Sequence, residues 1–276
     1  MILEVGSRKL DFSKIYVMGI MNLTLDSFYP ASRVRIDEIG SRALRMVHEG
    51  ADIIDIGAES TRPGSEPADP TFEEAQIEKA VKLVREVSDL PISIDTYRSK
   101  TAMKGIKAGA NMVNDISGLN FDPAMAKVCA ELDVPVVLMH IRGTPRDMQI
   151  DPHYDDVVRE VHEELERSME IALKHGVKES KLIIDPGIGF GKRLEDNLNL
   201  IAHLEEFKDL GKPILIGISR KSMISKIMPM DVDERLEPTI ALNVIAAMKG
   251  ASIVRVHDVS ANVKAMRMVD AIMEVK

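Results

Sequence analysis

Cysteine is nearly absent from this chain: Cys129 is the single one among 276 residues. That excludes an intrachain disulfide and any multi-cysteine metal site. Cys129 sits in the helical pattern Ala124-Met-Ala-Lys-Val-Cys-Ala, where a small buried residue is far commoner than a nucleophile. Long apolar runs are also lacking, and no stretch approaches the roughly 18 residues of a membrane span. The opening Met1-Ile-Leu-Glu-Val-Gly lacks the basic-then-apolar pattern of a signal peptide. A cytoplasmic protein without a membrane partner is the expectation. Positive charge is in deficit, 36 Lys and Arg against 44 Asp and Glu, for a net charge of −8. Nucleic-acid proteins are usually basic, so that partner is not expected. An anionic ligand would need cations concentrated locally. Linkers, low-complexity tracts and repeats of fixed period are missing too, which leaves residues 1–276 as one expected domain.

What the chain does contain is a series of short apolar runs, each ending in polar residues. Ile15–Met21 ends at Asn22, and Asp52–Gly57 leads into Glu59-Ser-Thr-Arg-Pro-Gly64. Pro91–Ile94 ends at Asp95-Thr96, Ala110–Val113 at Asn114-Asp115, and Val134–Met139 at His140. Leu182–Ile184 ends at Asp185-Pro-Gly187, Pro213–Gly217 at Ser219-Arg-Lys221, and Ser252–Val254 at Arg255-Val-His257. Buried parallel strands read as short β-branched runs of this kind. Helical patterns lie between them, at Glu38–Glu49, Thr71–Ser88, Ser99–Ala108, Pro123–Leu132, Asp155–Lys174, Glu195–Asp209, Glu237–Lys249 and Ser260–Val275. Asp69-Pro70 and Asp122-Pro123 supply helix start signals, and Gly176 and Gly250 supply stops.

Strand alternating with helix, eight times over, predicts a (β/α)8 TIM barrel of the α/β class. The apolar content of 45% is enough for its core. Leu3–Leu10 reads as a short N-terminal hairpin covering the bottom. All eight strand ends would then meet on one face, where barrel active sites sit. The longest loops on that face, Asn22–Val34 and Ala58–Pro70, are placed to act as lids.

The cations of this rim cluster late in the chain. Arg255 and His257 alternate on the last strand, so both can face the interior. Ser219-Arg-Lys221 opens a helical stretch, Lys221–Met228, and the loops after strands seven and eight form the usual phosphate site of this fold. Asn22 is a neutral oxygen donor for a hard cation, and Mg²⁺ takes few protein ligands beside substrate phosphates. A phosphate or pyrophosphate with Mg²⁺ fits these residues. The competing reading pairs Arg255 and His257 with Asp258 or nearby carboxylates. Asp95, Asn114 and Asp185 close three other strands. Aspartate can accept two parallel hydrogen bonds from an amino-pyrimidine edge, so these residues suit a flat heterocycle rich in N–H donors. The competing reading makes one of them a cap, Asp185 before Pro186-Gly187 above all.

Other patterns carry less. Gly187-Ile-Gly-Phe-Gly-Lys192 looks phosphate-like but lacks the spacing and the Ser/Thr of a Walker loop. His162-Glu163 has no second His three positions on, which excludes an HExxH zinc site. His48, His153, His175 and His203 read as solvated surface.

The same residues resemble one known family along nearly the whole chain. Met18–Phe28 and Ile54–Gly64 are similar to the first and second signatures of dihydropteroate synthase. Pro91–Thr96, Val113–Asp115, Met139-His140 with Gly143, Pro145 and Met148-Gln149, Asp185–Lys192, Gly217–Lys221 and Arg255–Val259 follow in the family's order. The resemblance implies a cytoplasmic, Mg²⁺-dependent homodimer, inhibited by sulfonamides. It would join 6-hydroxymethyl-7,8-dihydropterin diphosphate to 4-aminobenzoate, giving 7,8-dihydropteroate and pyrophosphate. Asp95, Asn114, Asp185 and Lys221 would hold the pterin. Asn22 would meet the metal and the diphosphate, with Thr61, Arg62, Arg255 and His257 on the diphosphate. Phe28, Pro63, Phe190, Lys221 and Ser222 would surround the aminobenzoate. Asp95, Asp185, Lys221, Arg255 and His257 would form the catalytic set.

The first loop departs from the family. Leu25 stands for its proline, Asp26 is kept, and Pro30 replaces its second aspartate, which stiffens the loop. Two rival readings fit less well. A methyltetrahydrofolate:corrinoid methyltransferase has no diphosphate for Ser219–Lys221 and Arg255–His257 to hold. A non-catalytic pterin-binding protein would not need Asn22, Thr61, Arg62 and His257 together.

Overall fold

The computed structural model of the chain describes residues 2–23 and 35–275. Leu3–Leu10 forms the expected hairpin, β1 (Leu3–Val5) antiparallel to β2 (Arg8–Leu10). The apolar runs become β3 (Tyr16–Asn22), β4 (Ile53–Gly57), β5 (Ile92–Asp95), β6 (Met112–Asp115), β7 (Val136–Met139), β8 (Leu182–Asp185), β9 (Ile214–Ile216) and β10 (Ala251–Val256). These eight strands are parallel, and β10 pairs with both β9 and β3, so the sheet closes into the predicted barrel.

The helices between the strands are α1 (Ile39–Glu49), α2 (Pro70–Arg85), α3 (Ser99–Ala108), α4 (Met125–Glu131), α5 (Val157–Lys174), α6 (Leu194–Ala202), α7 (Ser222–Ile227), α8 (Leu236–Met248) and α9 (Val259–Met273). Local chemistry sets several starts. The Asp69 carboxylate accepts from Phe72 N at 2.9 Å while Pro70 occupies the first turn of α2, where its missing N–H costs nothing. Two boundaries differ from the expectation. The pattern Glu195–Asp209 splits: α6 ends at Ala202, and a 3₁₀ run, Leu204–Leu210, follows. Leu204 and Phe207 are both buried, and three residues per turn stack positions i and i+3 on one face. α4 begins at Met125 instead of Pro123, and Asp122 serves two helix starts at once. Its carboxylate accepts from Ser99 N at 2.8 Å, at the start of α3, and from Ala124 N at 2.9 Å. Among the described residues no helix is long and apolar enough to cross a membrane. Cys129 is buried as expected, and burial pushes its thiol up to about 12.

Alternation along the strands divides the barrel interior into layers. Met18, Ile53, Met112, Val137, Ile183, Leu215 and Ile253 form one apolar cluster with Leu3, Val5 and Leu10 of the hairpin. The hairpin therefore stops the bottom of the barrel with side chains, away from the strand ends that carry the polar residues. Leu10 is 3% exposed. Replacing it with Ala is expected to lower the unfolding free energy by about 2–4 kcal/mol in urea titrations. Turnover should stay unchanged, because bottom-face positions of a barrel serve stability.

Candidate active site

Above the apolar layer the inward positions turn polar. Ile53 is followed two residues on by Asp55, Met112 by Asn114, Ile183 by Asp185, and Ile253 by Arg255 and then His257. Arg255 donates from Nε to Asp55 Oδ2 at 2.6 Å and from Nη2 to Asp95 Oδ2 at 2.6 Å. Asp55 Oδ2 also accepts from Asn114 Nδ2 at 3.4 Å. Its other oxygen, Oδ1, is buried and makes no hydrogen bond with any described residue. Burial, with Asp55 close by, pushes the Asp95 carboxyl above its ordinary range, and Arg255 opposes the shift. Burial likewise raises Asp185, against the pull of Lys221. Asp185 does cap its own turn, accepting from Gly187 N at 2.7 Å. It is nonetheless one of three carboxylates and an amide that make a floor around one guanidinium.

Cations and an aromatic ring form the wall. The Lys221 ammonium donates to Ile188 O and lies 4.6 Å from the centroid of the Phe190 ring. Burial pushes it down to about 8, with Asp185 opposing. His257 Nδ1 meets Ser219 Oγ at 2.9 Å. Burial, with Arg255 and Arg220 nearby, pushes His257 down to about 3. At neutral pH it is an uncharged ring that exchanges hydrogen bonds, whereas the sequence reads it among the cations. Asp258 is taken by Arg220, whose Nε and Nη2 donate to it at 2.7 and 2.9 Å. The competing pairing of Arg255 or His257 with Asp258 is thus not what forms. Arg255 does pair with carboxylates, but with those of β4 and β5.

The second loop is clasped from beneath. Arg98 Nη1 bridges Glu59 and Glu73, and Nη2 meets Tyr97 Oη at 3.0 Å. Tyr97 Oη donates to Glu59 at 2.5 Å, and Thr96 Oγ1 donates to Glu73 at 2.6 Å. Burial raises Glu73, and Thr96 and Arg98 oppose it. Gly64 N donates to Pro145 O at 2.9 Å, which joins this loop to the one after β7. The clasp places Thr61, Arg62 and Pro63 over the strand ends, with Arg62 Nε 3.2 Å from Ser60 Oγ.

One cleft at the carboxyl ends of the strands is lined by Asn22, Thr61, Arg62, Pro63, Asp95, Phe190, Lys221, Ser222, Arg255 and His257. Asn114 and Asp185, both buried, belong to the floor beneath it. A family model of pterin-binding enzymes matches residues 18–257. Dihydropteroate synthase of Clostridium beijerinckii is 43% identical over 273 residues, covering 98% of this chain and 99% of that one. The chain belongs to the dihydropteroate synthase family. Two solved synthase structures agree. That of Yersinia pestis with a sulfonamide drug superposes at a TM-score of 0.95 with 38% identity, covering 100% of both chains. That of Xanthomonas albilineans with 4-aminobenzoic acid superposes at 0.92 with 38% identity, covering 100% of this chain and 99% of that one.

The synthase fold therefore gathers the residues expected from the sequence, with one group outside view. Phe28, and with it Leu25, Asp26 and Pro30, lies outside the described residues. Three participants went unread in the sequence. Asp55 could have been found as a carboxylate at an inward position of an otherwise apolar strand. Lys192 and the Glu59–Arg98 clasp gave no such signal. Among the described residues no group of three or more His, Cys, Asp or Glu is placed to hold a metal ion.

The neutral His257 has a consequence for stability. A histidine held below its unfolded value of about 6.5 takes up a proton when the chain unfolds. Its contribution is complete above that value and is lost as pH falls from 6.5 toward about 3. Burial beside Lys192 pushes His140 down to about 4, so it acts in the same direction. Replacing His257 with Asn should flatten the pH dependence of unfolding free energy between these limits by about 1.4 kcal/mol per pH unit. Chemical denaturation at a series of pH values reads this slope, and an unchanged slope would contradict a neutral buried ring.

Proposed function

We infer that this chain condenses 6-hydroxymethyl-7,8-dihydropterin diphosphate with 4-aminobenzoate, giving 7,8-dihydropteroate and pyrophosphate. The observation that carries this reading is the floor of Asp55, Asp95, Asn114 and Asp185 beneath a wall of cations. The unpartnered Asp55 Oδ1 is an acceptor in want of a donor, since buried polar atoms are otherwise almost always bonded. A pterin edge offers such donors. The C. beijerinckii and X. albilineans relatives support the same substrates for this chain.

The chemistry needs no covalent nucleophile. The C–O bond to diphosphate breaks with both electrons leaving on oxygen, and the electron-rich ring delocalises the positive charge on the methylene carbon. Asp95 and Asp185 stabilise that charge. The amine lone pair of 4-aminobenzoate then forms the C–N bond, and the nitrogen loses a proton. Arg255, Arg62 and Thr61 hold the departing diphosphate, and His257 meets it as a neutral donor. Pro63, Phe190, Lys221 and Ser222, with Phe28, enclose the aminobenzoate. Catalysis is thus positional and electrostatic.

Asn22 offers the metal one neutral oxygen in the same cleft. That donor set fits Mg²⁺ when substrate oxygens and water complete the shell. Bound there, the ion would neutralise charge on the diphosphate. The reading also takes residues 1–276 as one domain and the protein as a cytoplasmic homodimer, as the family resemblance implies.

The test is pyrophosphate release from the pterin diphosphate, aminobenzoate and Mg²⁺, with and without EDTA. Metal-dependent release that requires the aminobenzoate, with dihydropteroate in equal amount, is expected. No release despite pterin binding would overturn the reading. Within it, Asp185→Ala should abolish pterin binding in calorimetry. Arg62→Ala should leave that binding intact and lower turnover by about 10²-fold, the scale of losing one charge-stabilising donor. Normal pterin affinity in Asp185→Ala would remove Asp185 from the pocket.

A further inference from the structure

The run Gly187–Lys192 imitates a phosphate-binding loop but is built the other way round. A phosphate loop aims its N–H groups outward at the anion. Here three of them are used within the fold. Gly187 N donates to Asp185 Oδ1 at 2.7 Å, Gly189 N to Asn197 Oδ1 at 2.6 Å, and Phe190 N to Gly187 O at 3.1 Å. The carbonyls are what the loop presents, and each of the five from residue 187 to 191 accepts from a side chain. Lys192 Nζ donates to Gly187 O and Phe190 O, both at 3.0 Å. Lys221 Nζ donates to Ile188 O, Gln149 Nε2 to Gly189 O at 2.9 Å, and Tyr154 Oη to Gly191 O at 2.8 Å. The backbone turns tightly enough that a Cβ on Gly187 would lie 1.9 Å from His140 O, and one on Gly191 would lie 2.2 Å from Arg142 O.

Lys192 is 1% exposed. Its third partner is His140 Nδ1 at 2.8 Å, so the three donors of the ammonium are all used. His140 Nε2 lies 3.0 Å from Glu164, which Arg142 Nη2 also meets at 3.0 Å. Burial pushes Lys192 down to about 7.

We propose that Lys192 is a positioning residue of this synthase. It draws the Gly187 and Phe190 carbonyls inward, and so fixes the loop whose Ile188 carbonyl anchors Lys221 and whose Phe190 ring lies over that ammonium. The inference rests on the function proposed above, because it assigns Lys192 control of the aminobenzoate side of the site. The pterin floor is built on β4, β5 and β6 as well as β8, and this loop reaches it only through Asp185, which accepts from Gly187 N, and through Lys221.

The test compares Lys192→Met, which keeps the stem and removes the donors, with the wild type. KM for aminobenzoate should rise by about tenfold or more, since a misplaced contact of about 1 Å costs up to 10²-fold. Pterin affinity measured by calorimetry should fall by less than the aminobenzoate KM rises, because Asp55, Asp95 and Asn114 lie on other strands. Amide hydrogen exchange should quicken at Gly189 and Phe190 and remain unchanged in β4 and β5. Kinetic constants within about twofold of wild type would overturn the proposal, and so would equal losses for both substrates or unaltered exchange in the loop. Should Lys192→Met fail to accumulate, Lys192→Gln leaves an N–H donor on a stem one atom too short to keep both carbonyl bonds. It should shift the same two readouts in the same direction, and unchanged readouts there would overturn the proposal as well. A wild type that releases no pyrophosphate would sink the function while hydrogen exchange still decided whether Lys192 holds the loop.

Discussion

A charged group can stay inside a barrel only if its charge is met there. Arg255 satisfies that condition with two carboxylates from neighbouring strands, each 2.6 Å away. Removing one partner of such a buried set typically costs about 3–5 kcal/mol, because it strands an uncompensated charge. The rest of the site depends on this balance. It orients Asp55 so that one oxygen meets Arg255 and Asn114 while the other is left without a partner among the described residues. It also lets acidic side chains from β4, β5 and β8 stand near one another around a single guanidinium. The floor is therefore set before any ligand arrives, so little reorganisation is needed when charge develops on a substrate.

The barrel makes this arrangement affordable by separating stability from chemistry along its axis. Its lower interior is closed by an apolar layer and the hairpin. Two residues further up the same strands, the inward positions carry acids, amides and bases. Because alternation is fixed by strand geometry, each strand serves both ends with one periodicity. The loops then add what strands cannot. Arg98 bridges Glu59 and Glu73 under the second loop, and Lys192 gathers carbonyls under the loop after β8. Both devices place a cation beneath a loop and pin it with several bonds at once.

Much of this is legible in the sequence because it is local. Apolar runs mark the strands, their polar ends mark the rim, and Asp69-Pro70 marks a helix start. The family resemblance rests on those same ends. What escapes is whatever depends on partners far along the chain. Arg255 and Asp55 are 200 residues apart, and nothing near either residue shows that they meet. Arg220 resembles a ligand cation beside Lys221 but is spent on Asp258. His257 reads as a cation until its burial beside two arginines is seen. Lys192 ends a glycine-rich run that imitates an anion loop, and only the direction of its N–H groups tells the two apart. The helix that breaks at Ala202 does so for Leu204 and Phe207, whose shared burial is a tertiary fact.

The N-terminal hairpin carries a last consequence. A barrel packed with side chains at one end is entered and left at the other. Under the proposed reading, the pterin occupies the deep end, against Asp55 and Asn114, and the aminobenzoate sits nearer the mouth, beside Phe190 and Ser222. The deeper guest then has to arrive first, and the joined product has to back out past the same loops. Order of addition, visible in product-inhibition patterns, is in this sense a property of the packed layer at the far end of the barrel, in which Leu3, Val5 and Leu10 back the strand residues from Met18 to Ile253.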